Sequence, residues 1–327
     1  MRGGSLRARR YTKENALASP KRSAASLGGR PILVAGKSGQ LACCLHDVAS
    51  QRNASLVSVG RPDLDLENGA SIDDVVAAIG PSAIINAAAY TAVDRAEKEP
   101  ECAYMINRDG AARLAAAAKR RGIPFIHIST DYVFDGHKPS PYDEGDTAAP
   151  LNVYGRSKLE GEVAVLDAYP GALVMRTSWL YSPYGHNFLR TMLRLSVAPK
   201  VVRVVNDQRG TPTSALDLAG GILEIARQLA DHSVDGSGIS HLAGQGEATW
   251  FGFAESIFTS LGRRGQPVPG LQEITTEEYP TPACRPKNSC LDSSRTERIF
   301  RVRLAPWQAS LERCLDRLAI QMEFPAC

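Results

Sequence analysis

Several features are scarce or missing in this sequence of 327 residues. Its apolar runs, such as Ala83–Ala89, are far shorter than the roughly 20 residues that a membrane-spanning helix needs. The seven cysteines form no CxxC pair and leave one over. This spacing argues against a disulfide framework and against a tetrahedral zinc site. We therefore expect a reduced, cytoplasmic compartment and no association with a membrane.

An excess of basic charge is also absent from most of the chain. Residues 1–30 contain eight Lys or Arg and one acid, a net charge of +7, which leaves −4 for the other 297 residues because the whole chain carries +3. A slightly acidic body gives no reason to expect nucleic-acid binding. Two interpretations of the basic head stay open: a disordered tail or an upstream start with no structural role, or an organelle transit peptide, since the head is rich in Arg and Ser and poor in acids.

Short strand-like runs alternate with helical stretches through the first half of the chain. Because such alternation is typical of βαβ units, it predicts an α/β fold with a Rossmann-like, doubly wound parallel sheet. Beyond residue 178, Gly, Pro and Thr become frequent, which indicates a smaller C-terminal α+β lobe. We predict a head over 1–30, a dinucleotide-binding domain over 31–178, and mainly a substrate-binding lobe over 179–327 that is partly interleaved with the sheet. The predicted strands are 31–36, 55–60, 83–89, 124–129, 172–177 and 201–205, and the predicted helices include 72–79, 104–120, 154–168 and 214–229.

A glycine-rich turn lies where the first strand should give way to the first helix. Gly36 allows a tight turn, and Gly39 allows the backbone to approach a pyrophosphate, which the free N–H groups of the helix start at Gln40 and Leu41 can bind. A packing turn would show the same pattern. The position directly after the first strand favours a dinucleotide site.

The end of the second predicted strand should read the adenosine ribose of that dinucleotide. Arg61 stands there, and an arginine favours the 2′-phosphate of NADP, whereas an acid would favour NAD. Asp65 and Leu66 follow and could flank the adenine. The sequence thus favours NADPH, with NADH still possible, and a solvated loop arginine is the alternative interpretation of Arg61.

Three residues have the character of a proton-transfer site. Tyr154 and Lys158 are four positions apart at a predicted helix start, so the phenol and the ammonium share one helical face. A nearby cation stabilises a phenolate and would lower the pKa of Tyr154 toward neutrality. Thr130, at the end of the fourth predicted strand, can supply a hydroxyl to a reacting carbonyl oxygen. The sequence predicts these three as catalytic residues.

The glycine turn, the Tyr154/Lys158 pair and the strand-end hydroxyl resemble the extended short-chain dehydrogenase/reductase superfamily. More specific strings resemble the dTDP-4-dehydrorhamnose reductase family over about residues 31–320. Those strings are Asn86–Asp94, Ser129–Phe134, Pro150–Gly155, Arg176–Tyr181, Val205–Gln208 and Pro280–Pro286.

The resemblance implies NADPH-dependent reduction of the C4 ketone of dTDP-6-deoxy-L-lyxo-4-hexulose to dTDP-L-rhamnose. It implies that Tyr154 protonates the developing alkoxide while Lys158 holds the nicotinamide ribose. By the same resemblance, Thr130, Asp131 and Trp179 would contact the sugar, and Ala89, Tyr90 and Thr91 the cofactor. A core aromatic is the alternative interpretation of Trp179.

The sequence departs from this family at one place. Some members hold Mg²⁺ through glutamates at a dimer contact, one of them early in the first helix, where Cys43 and Cys44 stand here. Thiols are poor ligands for a hard cation, which argues against Mg²⁺ and against that contact. We expect a monomer or a homodimer. The alternative functions are another nucleotide-sugar 4-ketoreductase or epimerase, and a non-catalytic regulatory subunit resembling that of methionine adenosyltransferase.

Overall fold

The computed structural model describes residues 29–69, 71–197 and 200–323. Most of the predicted basic head therefore lies outside the described residues. The strands are β1 (Ile32–Ala35), β2 (Leu56–Val59), β3 (Ala83–Asn86), β4 (Phe125–Thr130), β5 (Leu173–Thr177), β6 (Leu180–Tyr181), β7 (Val201–Val205), β8 (Arg209–Gly210), β9 (Thr213–Ser214), β10 (Gly238–His241), β11 (Ala248–Thr249), β12 (Gly270–Ile274) and β13 (Asn288–Ser289). The α-helices are α1 (Gln40–Gln51), α2 (Ile72–Ile79), α3 (Val93–Ala96), α4 (Pro100–Tyr104), α5 (Ala111–Arg120), α6 (Val153–Ala168), α7 (Phe188–Leu195), α8 (Ala215–Ala230), α9 (Trp250–Arg263), α10 (Ser294–Phe300) and α11 (Trp307–Glu323).

A six-stranded parallel sheet forms the centre of the molecule. Its strand order is β10-β5-β4-β3-β1-β2, and every neighbouring pair is parallel. The order reverses between β1 and β3, which is the point where open α/β sheets bind ligands at the carboxyl ends of their strands. The predicted Rossmann-like parallel sheet is thus confirmed.

Alternating side chains along the central strands build two hydrophobic cores. In β1, Ile32 and Val34 face the core formed with α1 and α8, whereas Leu33 and Ala35 face the core formed with α2, α5 and α6. Successive strand residues point to opposite faces, so a strand covered on both sides must be apolar throughout. Each Leu, Ile or Val buried in this way contributes about 1.5–3 kcal/mol.

Two segments beyond residue 178 join this central layer. Helix α8 packs on α1, and β10 adds the last strand beside β5. The predicted strand at Val201–Val205 forms as β7, but it pairs with β12 in a separate two-stranded sheet. A third core surrounds that pair and includes Val202, Phe253 and Trp307.

Arg30, which the sequence analysis counted with the head, donates hydrogen bonds to the carbonyls of Gly80 and Pro81.

The predicted helix over 104–120 is interrupted. Its first part, Met105–Gly110, is a π-helical turn that leads into α5. The wider turn lies against α6, where Gly161 leaves room for the carbonyl of Asn107 and a Cβ would overlap it. π-turns inside helices often accompany functional sites. In this chain the turn carries Asn107, whose side chain contacts the loop after β3.

No helix in the described part of the chain is both long and apolar enough to cross a bilayer.

Candidate active site

A cleft of about 870 Å³ lies over the carboxyl ends of the central strands, at the reversal between β1 and β3. Thirteen of the residues predicted for the site line it. They are Gly36, Gly39, Gln40, Leu41, Arg61, Asp65, Leu66, Ala89, Thr91, Thr130, Asp131, Tyr154 and Trp179. Two predicted site residues, Tyr90 and Lys158, do not line it.

The glycine-rich turn forms one end of the cleft. Gly36 has φ of +113°, and a Cβ there would press on the backbone of Ala88 at 3.2 Å, so the position demands glycine. Gly39 caps α1 without a side-chain hydrogen bond, faces open space, and is followed by no acid in the first turn. The free N–H groups at this helix start suit a diphosphate. The structure therefore fits a dinucleotide at the place that the sequence predicted.

Two basic side chains stand beside that end of the cleft. Gly60 approaches Lys37 so closely that a Cβ at Gly60 would lie 3.1 Å from the Cβ of Lys37. Arg61 follows Gly60, and both basic residues are exposed and line the cleft. A 2′-phosphate would meet two cations here. Lys37 was missed by the sequence analysis, although it lies inside the glycine-rich turn.

Tyr154 is held at the start of α6. Asn152 caps the helix by accepting a hydrogen bond from the N–H of Gly155 at 2.8 Å. A Cβ at Gly155 would overlap the carbonyl of Tyr132, so glycine allows the close approach of α6 to the turn after β4. The rings of Tyr132 and Tyr154 meet edge to face, with centroids 5.8 Å apart. These contacts set the phenol at the cleft wall.

Burial raises the pKa of Tyr154 to about 12, the nearby hydroxyl of Thr130 lowers it, and the charge of Asp131 raises it further. The expectation that Lys158 lowers the pKa of Tyr154 toward neutrality is wrong for this structure. Burial is the largest cause of the shift, and Lys158 is not among the groups that contribute to it. The phenol is consequently protonated at neutral pH, as a proton donor must be.

Lys158 lies behind the cleft wall rather than on it. Its side chain is 1% exposed, and Nζ donates to the carbonyl of Ile128 at 2.7 Å. Nζ also lies 3.2 Å from Nε2 of His127. Burial lowers the pKa of Lys158 to about 8, and the negative charge of Glu162 opposes that shift. The helical spacing of Tyr154 and Lys158 is as predicted, but the two side chains leave the helix into different surroundings.

Asp131 and Thr130 form a polar corner of the cleft. Thr130 Oγ1 donates to Asp131 Oδ1 at 2.9 Å, and Ser178 Oγ donates to Asp131 Oδ2 at 3.1 Å. Burial nevertheless raises the pKa of Asp131 to about 6. Thr177 brings a further hydroxyl that is buried in the cleft wall and has no hydrogen-bond partner among residues 29–69, 71–197 and 200–323. The corner can hold a polyhydroxyl ligand.

Trp179 also lines the cleft and has φ of +44°, an uncommon value for a large side chain. Its indole stacks on Trp250 with ring centroids 3.4 Å apart. A Cβ at Gly210 would overlap the same indole. Trp250 also donates from Nε1 to Gln208 at 3.3 Å. The indole of Trp179 therefore lines the cleft. The two residues that fix its orientation, Trp250 and Gly210, both belong to the C-terminal part of the chain.

Tyr90 points away from the cleft. Its hydroxyl donates to Glu99 at 2.8 Å, and its backbone N–H donates to Asn107 Oδ1 at 2.8 Å. The side chain of Tyr90 thus does not line the predicted cofactor site, because Glu99 offers a charged acceptor on the outer side. Its neighbours Ala89 and Thr91 do line the cleft.

Further cleft residues escaped the sequence analysis. Most are small side chains within strings that were already singled out, and their position beside glycines or strand ends was the available signal. Gly185 and His186 come from the loop before α7, for which the sequence offered no signal. The missed lining residues are Lys37, Ser38, Gly60, Leu64, Ala87, Ala88, Ile106, Thr177, Ser178, Leu180, Gly185 and His186. Within the part of the chain that the structure describes, no group of three or more His, Cys, Asp or Glu is arranged to hold a metal ion.

A family model, two named proteins and one crystal structure are similar to this chain over most of its length. A family model described as RmlD substrate binding domain matches residues 30–320. A Sinorhizobium fredii protein named dTDP-4-dehydrorhamnose reductase is 45% identical over 291 residues, which cover 89% of this chain and 98% of that protein. A Streptomyces niveus protein named dTDP-4-keto-6-deoxy-D-glucose reductase is 41% identical over 241 residues, 72% of this chain and 82% of that protein. The crystal structure of a dTDP-4-dehydrorhamnose reductase from Bacillus anthracis in complex with NADP matches with a TM-score of 0.81 and 35% identity, covering 88% of this chain and 99% of that one.

Proposed function

The chain belongs to the RmlD substrate binding domain family, and we propose that it reduces the C4 ketone of dTDP-4-dehydro-L-rhamnose to dTDP-L-rhamnose with NADPH. The relatives from Sinorhizobium fredii and Bacillus anthracis carry the name of that reductase and are matched over nearly their whole length. The proposal makes the chain an oxidoreductase that acts on a nucleotide sugar. Its number of subunits and its compartment stay predictions.

One structural observation carries this proposal. A protonated phenol, Tyr154, stands beside the hydroxyl of Thr130 in a cleft whose other end is the glycine cradle at Gly36. A binding module needs the cradle but not the phenol. Reduction of a ketone needs both a site for a dinucleotide and a proton donor, and this cleft combines them.

The chain's own residues divide the remaining work. NADPH, when bound, supplies the hydride that adds to C4. As the C4–O double bond becomes single, the electron pair moves to the oxygen, and Tyr154 donates its phenolic proton there. On substrate binding, the hydroxyl of Thr130 would turn its single proton from Asp131 to the same oxygen and hold that oxygen beside the phenol. Stabilising the charge as it develops is where such donors act most strongly.

Other residues hold the two ligands. Gly36, Gly39, Gln40 and Leu41 would bind the diphosphate of the cofactor, and Ala89 and Thr91 would lie against its nicotinamide half. Arg61 with Lys37 would bind the 2′-phosphate, while Asp65 and Leu66 would flank the adenine. Asp131 and Trp179 would bind the sugar, one by accepting hydroxyl hydrogen bonds and the other by its apolar ring face. Lys158 would act through its charge from behind the wall.

Three alternatives remain distinct from this proposal. The relative from Streptomyces niveus carries the name of a reductase for another dTDP-4-keto sugar, so a neighbouring sugar is the first alternative. An epimerase would convert its substrate without net consumption of NADPH. A regulatory subunit resembling that of methionine adenosyltransferase would show no turnover by itself, although the phenol and its partners are all present here.

The decisive experiment follows NADPH oxidation by the purified chain. The substrate, dTDP-4-dehydro-L-rhamnose, is generated with an upstream dehydratase and epimerase, and the product sugar is identified by NMR. We expect one NADPH consumed for each dTDP-L-rhamnose formed. The alternative 4-keto sugar, before epimerisation, serves as the comparison substrate. A higher kcat/KM with that sugar would show that the chain is the alternative reductase. The absence of turnover with either sugar would refute the proposal that the chain is an enzyme.

A further inference from the structure

A row of three buried polar side chains runs behind the cleft wall. Asn86 ends β3, His127 is its register partner on β4, and Lys158 comes from α6. Their exposed fractions are 1%, 0% and 1%. Asn86 Nδ2 lies 3.0 Å from His127 Nδ1, and His127 Nε2 lies 3.2 Å from Lys158 Nζ. The imidazole therefore links a strand-end amide to the lysine that follows Tyr154 by one helical turn.

The direction of the hydrogen bonds in this row follows from its first member. Asn86 Oδ1 accepts a hydrogen bond from the N–H of Ala88 at 3.2 Å, so the amide turns its NH₂ group toward His127. Burial and the charge of Lys158 hold the pKa of His127 well below its ordinary value, and the ring is neutral. A neutral imidazole has one donor and one acceptor. Because Nδ1 accepts from Asn86, Nε2 carries the proton and points it at Lys158.

This proton places a constraint on Lys158. An ammonium group has three donors and no acceptor, so it cannot receive a hydrogen bond from Nε2–H. The uncharged amine has one lone pair for His127 and can still donate to the carbonyl of Ile128, which lies 2.7 Å away. A charged Lys158 and this tautomer of His127 thus oppose each other directly.

Other charges surround the same helix face and bear on Lys158 to different degrees. Glu162 is bound by Arg176 through bonds of 2.9 and 2.6 Å, and Ser129 donates to it at 2.5 Å. Its charge is thereby shared, and burial still lowers the pKa of Lys158 to about 8. Among the described residues, the titratable groups that act on Lys158 are His127 on β4 and Glu162 on α6, and Arg176 on β5 lies beyond Glu162 as its ion-pair partner.

We propose that Asn86 and His127 are positioning residues that set the charge of Lys158 through the tautomer of the imidazole. The part that concerns catalysis rests on the proposed function. Near pH 12, where Tyr154 titrates, Lys158 is already neutral and does not affect that titration. Below pH 8 Lys158 is charged, and its charge would stabilise the negative charge that Tyr154 acquires on giving up its proton, so activity should decline on the alkaline side as Lys158 becomes neutral. Nothing in the row reaches the substrate, and its effect passes through Lys158 alone.

The tautomer can be measured without any substrate. The full chain contains six histidines, and labelling their ring nitrogens with ¹⁵N gives a small set of NMR signals. The His127→Gln variant identifies those of His127 by their disappearance. We expect a pyridine-type Nδ1 and a proton-bearing Nε2. A proton on Nδ1 would overturn the proposal while leaving the proposed function untouched.

A second experiment reverses the tautomer by the isosteric change Asn86→Asp. A carboxylate has no donor, so Nδ1 must carry the proton and Nε2 then accepts from a charged Lys158. We expect the NMR pattern of His127 to switch and the alkaline limb of kcat/KM to move up by about one pH unit or more, since a gained acceptor favours the charged lysine. If Asn86→Asp does not fold, the NMR measurement of the His127 tautomer in the unmodified chain still tests the proposal.

The control separates the tautomer from the added charge. The double variant Asn86→Asp/His127→Phe keeps the new carboxylate but places there an apolar ring that can neither donate to the carboxylate nor accept from Lys158. An alkaline shift much smaller than in Asn86→Asp supports the proposal. An equal shift in both variants would mean that charge alone acts on Lys158, and the proposal would fail.

Discussion

The indoles of Trp179 and Trp250 stack face to face, with ring centroids 3.4 Å apart and planes 3° from parallel. Trp179 lines the cleft, whereas Trp250 begins α9 and is anchored by Gln208 and by the ring of Phe188 at 4.6 Å. The orientation of the cleft wall therefore depends on a helix that contributes no lining residue of its own. Trp250 should matter for the sugar, although it stands one ring away from it.

Replacing Trp250 by leucine should weaken sugar binding. An aromatic pair contributes about 0.5–1.5 kcal/mol beyond its buried area, so we expect KM for the nucleotide sugar to rise about 2- to 12-fold. The dissociation constant of NADPH, measured by fluorescence titration, should hardly change. Gly210→Ala should have the same effect, because a Cβ there overlaps the indole of Trp179.

Gly262→Ala is the matched control for the glycine variant. Gly262 lies in α9, and a Cβ there meets nothing within 4 Å, so its kinetics should equal those of the unmodified chain. An unchanged KM in both Trp250→Leu and Gly210→Ala would show that the stack has no part in sugar binding.

Tyr154→Phe tests the proton donor. The change removes one hydroxyl and leaves the ring contact with Tyr132 in place. We expect kcat to fall on the order of 10²–10⁴-fold, the usual contribution of general acid catalysis. Substrate affinity should change much less, because the loss falls on the transition state. Near-normal turnover would exclude Tyr154 as the donor.

Arg61→Ala tests the preference for NADPH. Loss of a hydrogen bond to a charged group costs about 1.5–3 kcal/mol, which corresponds to roughly a 10- to 150-fold weaker binding of NADPH. NADH has no 2′-phosphate, and its binding should stay nearly constant. Lys37→Ala should act in the same direction, since Lys37 stands beside Gly60 at the same end of the cleft. An equal loss of affinity for NADPH and NADH would show that Arg61 and Lys37 do not recognise the 2′-phosphate.

Asp131 should impose an acid limb on the pH profile. Its pKa is raised to about 6, so the carboxylate that orients Thr130 and Ser178 is lost as the pH falls through 6. We expect kcat/KM to decline there in the unmodified chain, whereas Asp131→Asn should be about 10-fold less active above pH 7, on the scale of a charged hydrogen bond, and should lack this limb. Persistence of the limb in the variant would assign it to another group.

Asp131 should also affect stability, but here the loss of its charge should be favourable, whereas the same loss lowers activity. A carboxyl whose pKa is higher in the folded chain than its ordinary 3.8 destabilises the fold above pH 6, and this penalty disappears as the pH falls toward 4. We expect Asp131→Asn to have a higher Tm than the unmodified chain at pH 8 and an equal Tm near pH 4, measured by calorimetry. A lower Tm at pH 8 would contradict the assigned cost of burying the charge.

Local sequence determined those features that depend on neighbouring residues along the chain. Apolar runs of four to seven residues, alternating with helical stretches, were sufficient to predict the parallel sheet, because strands covered on both faces must be apolar throughout. The turn at Gly36 was predictable for a similar reason, since its backbone conformation excludes other residues. The four-residue spacing of Tyr154 and Lys158 followed from helix geometry alone.

Tertiary structure decided how those side chains are surrounded. The pKa of Tyr154 rises rather than falls, and Lys158 faces His127, because desolvation depends on atoms that β4 and α6 bring together from distant parts of the chain. Tyr90 turns outward to Glu99, and Trp250 supports Trp179 across a separation of 71 positions. No periodicity or short motif encodes such contacts. They arise only when the sheet and the C-terminal lobe pack together, since burial and pairing belong to the folded chain and not to any segment of it.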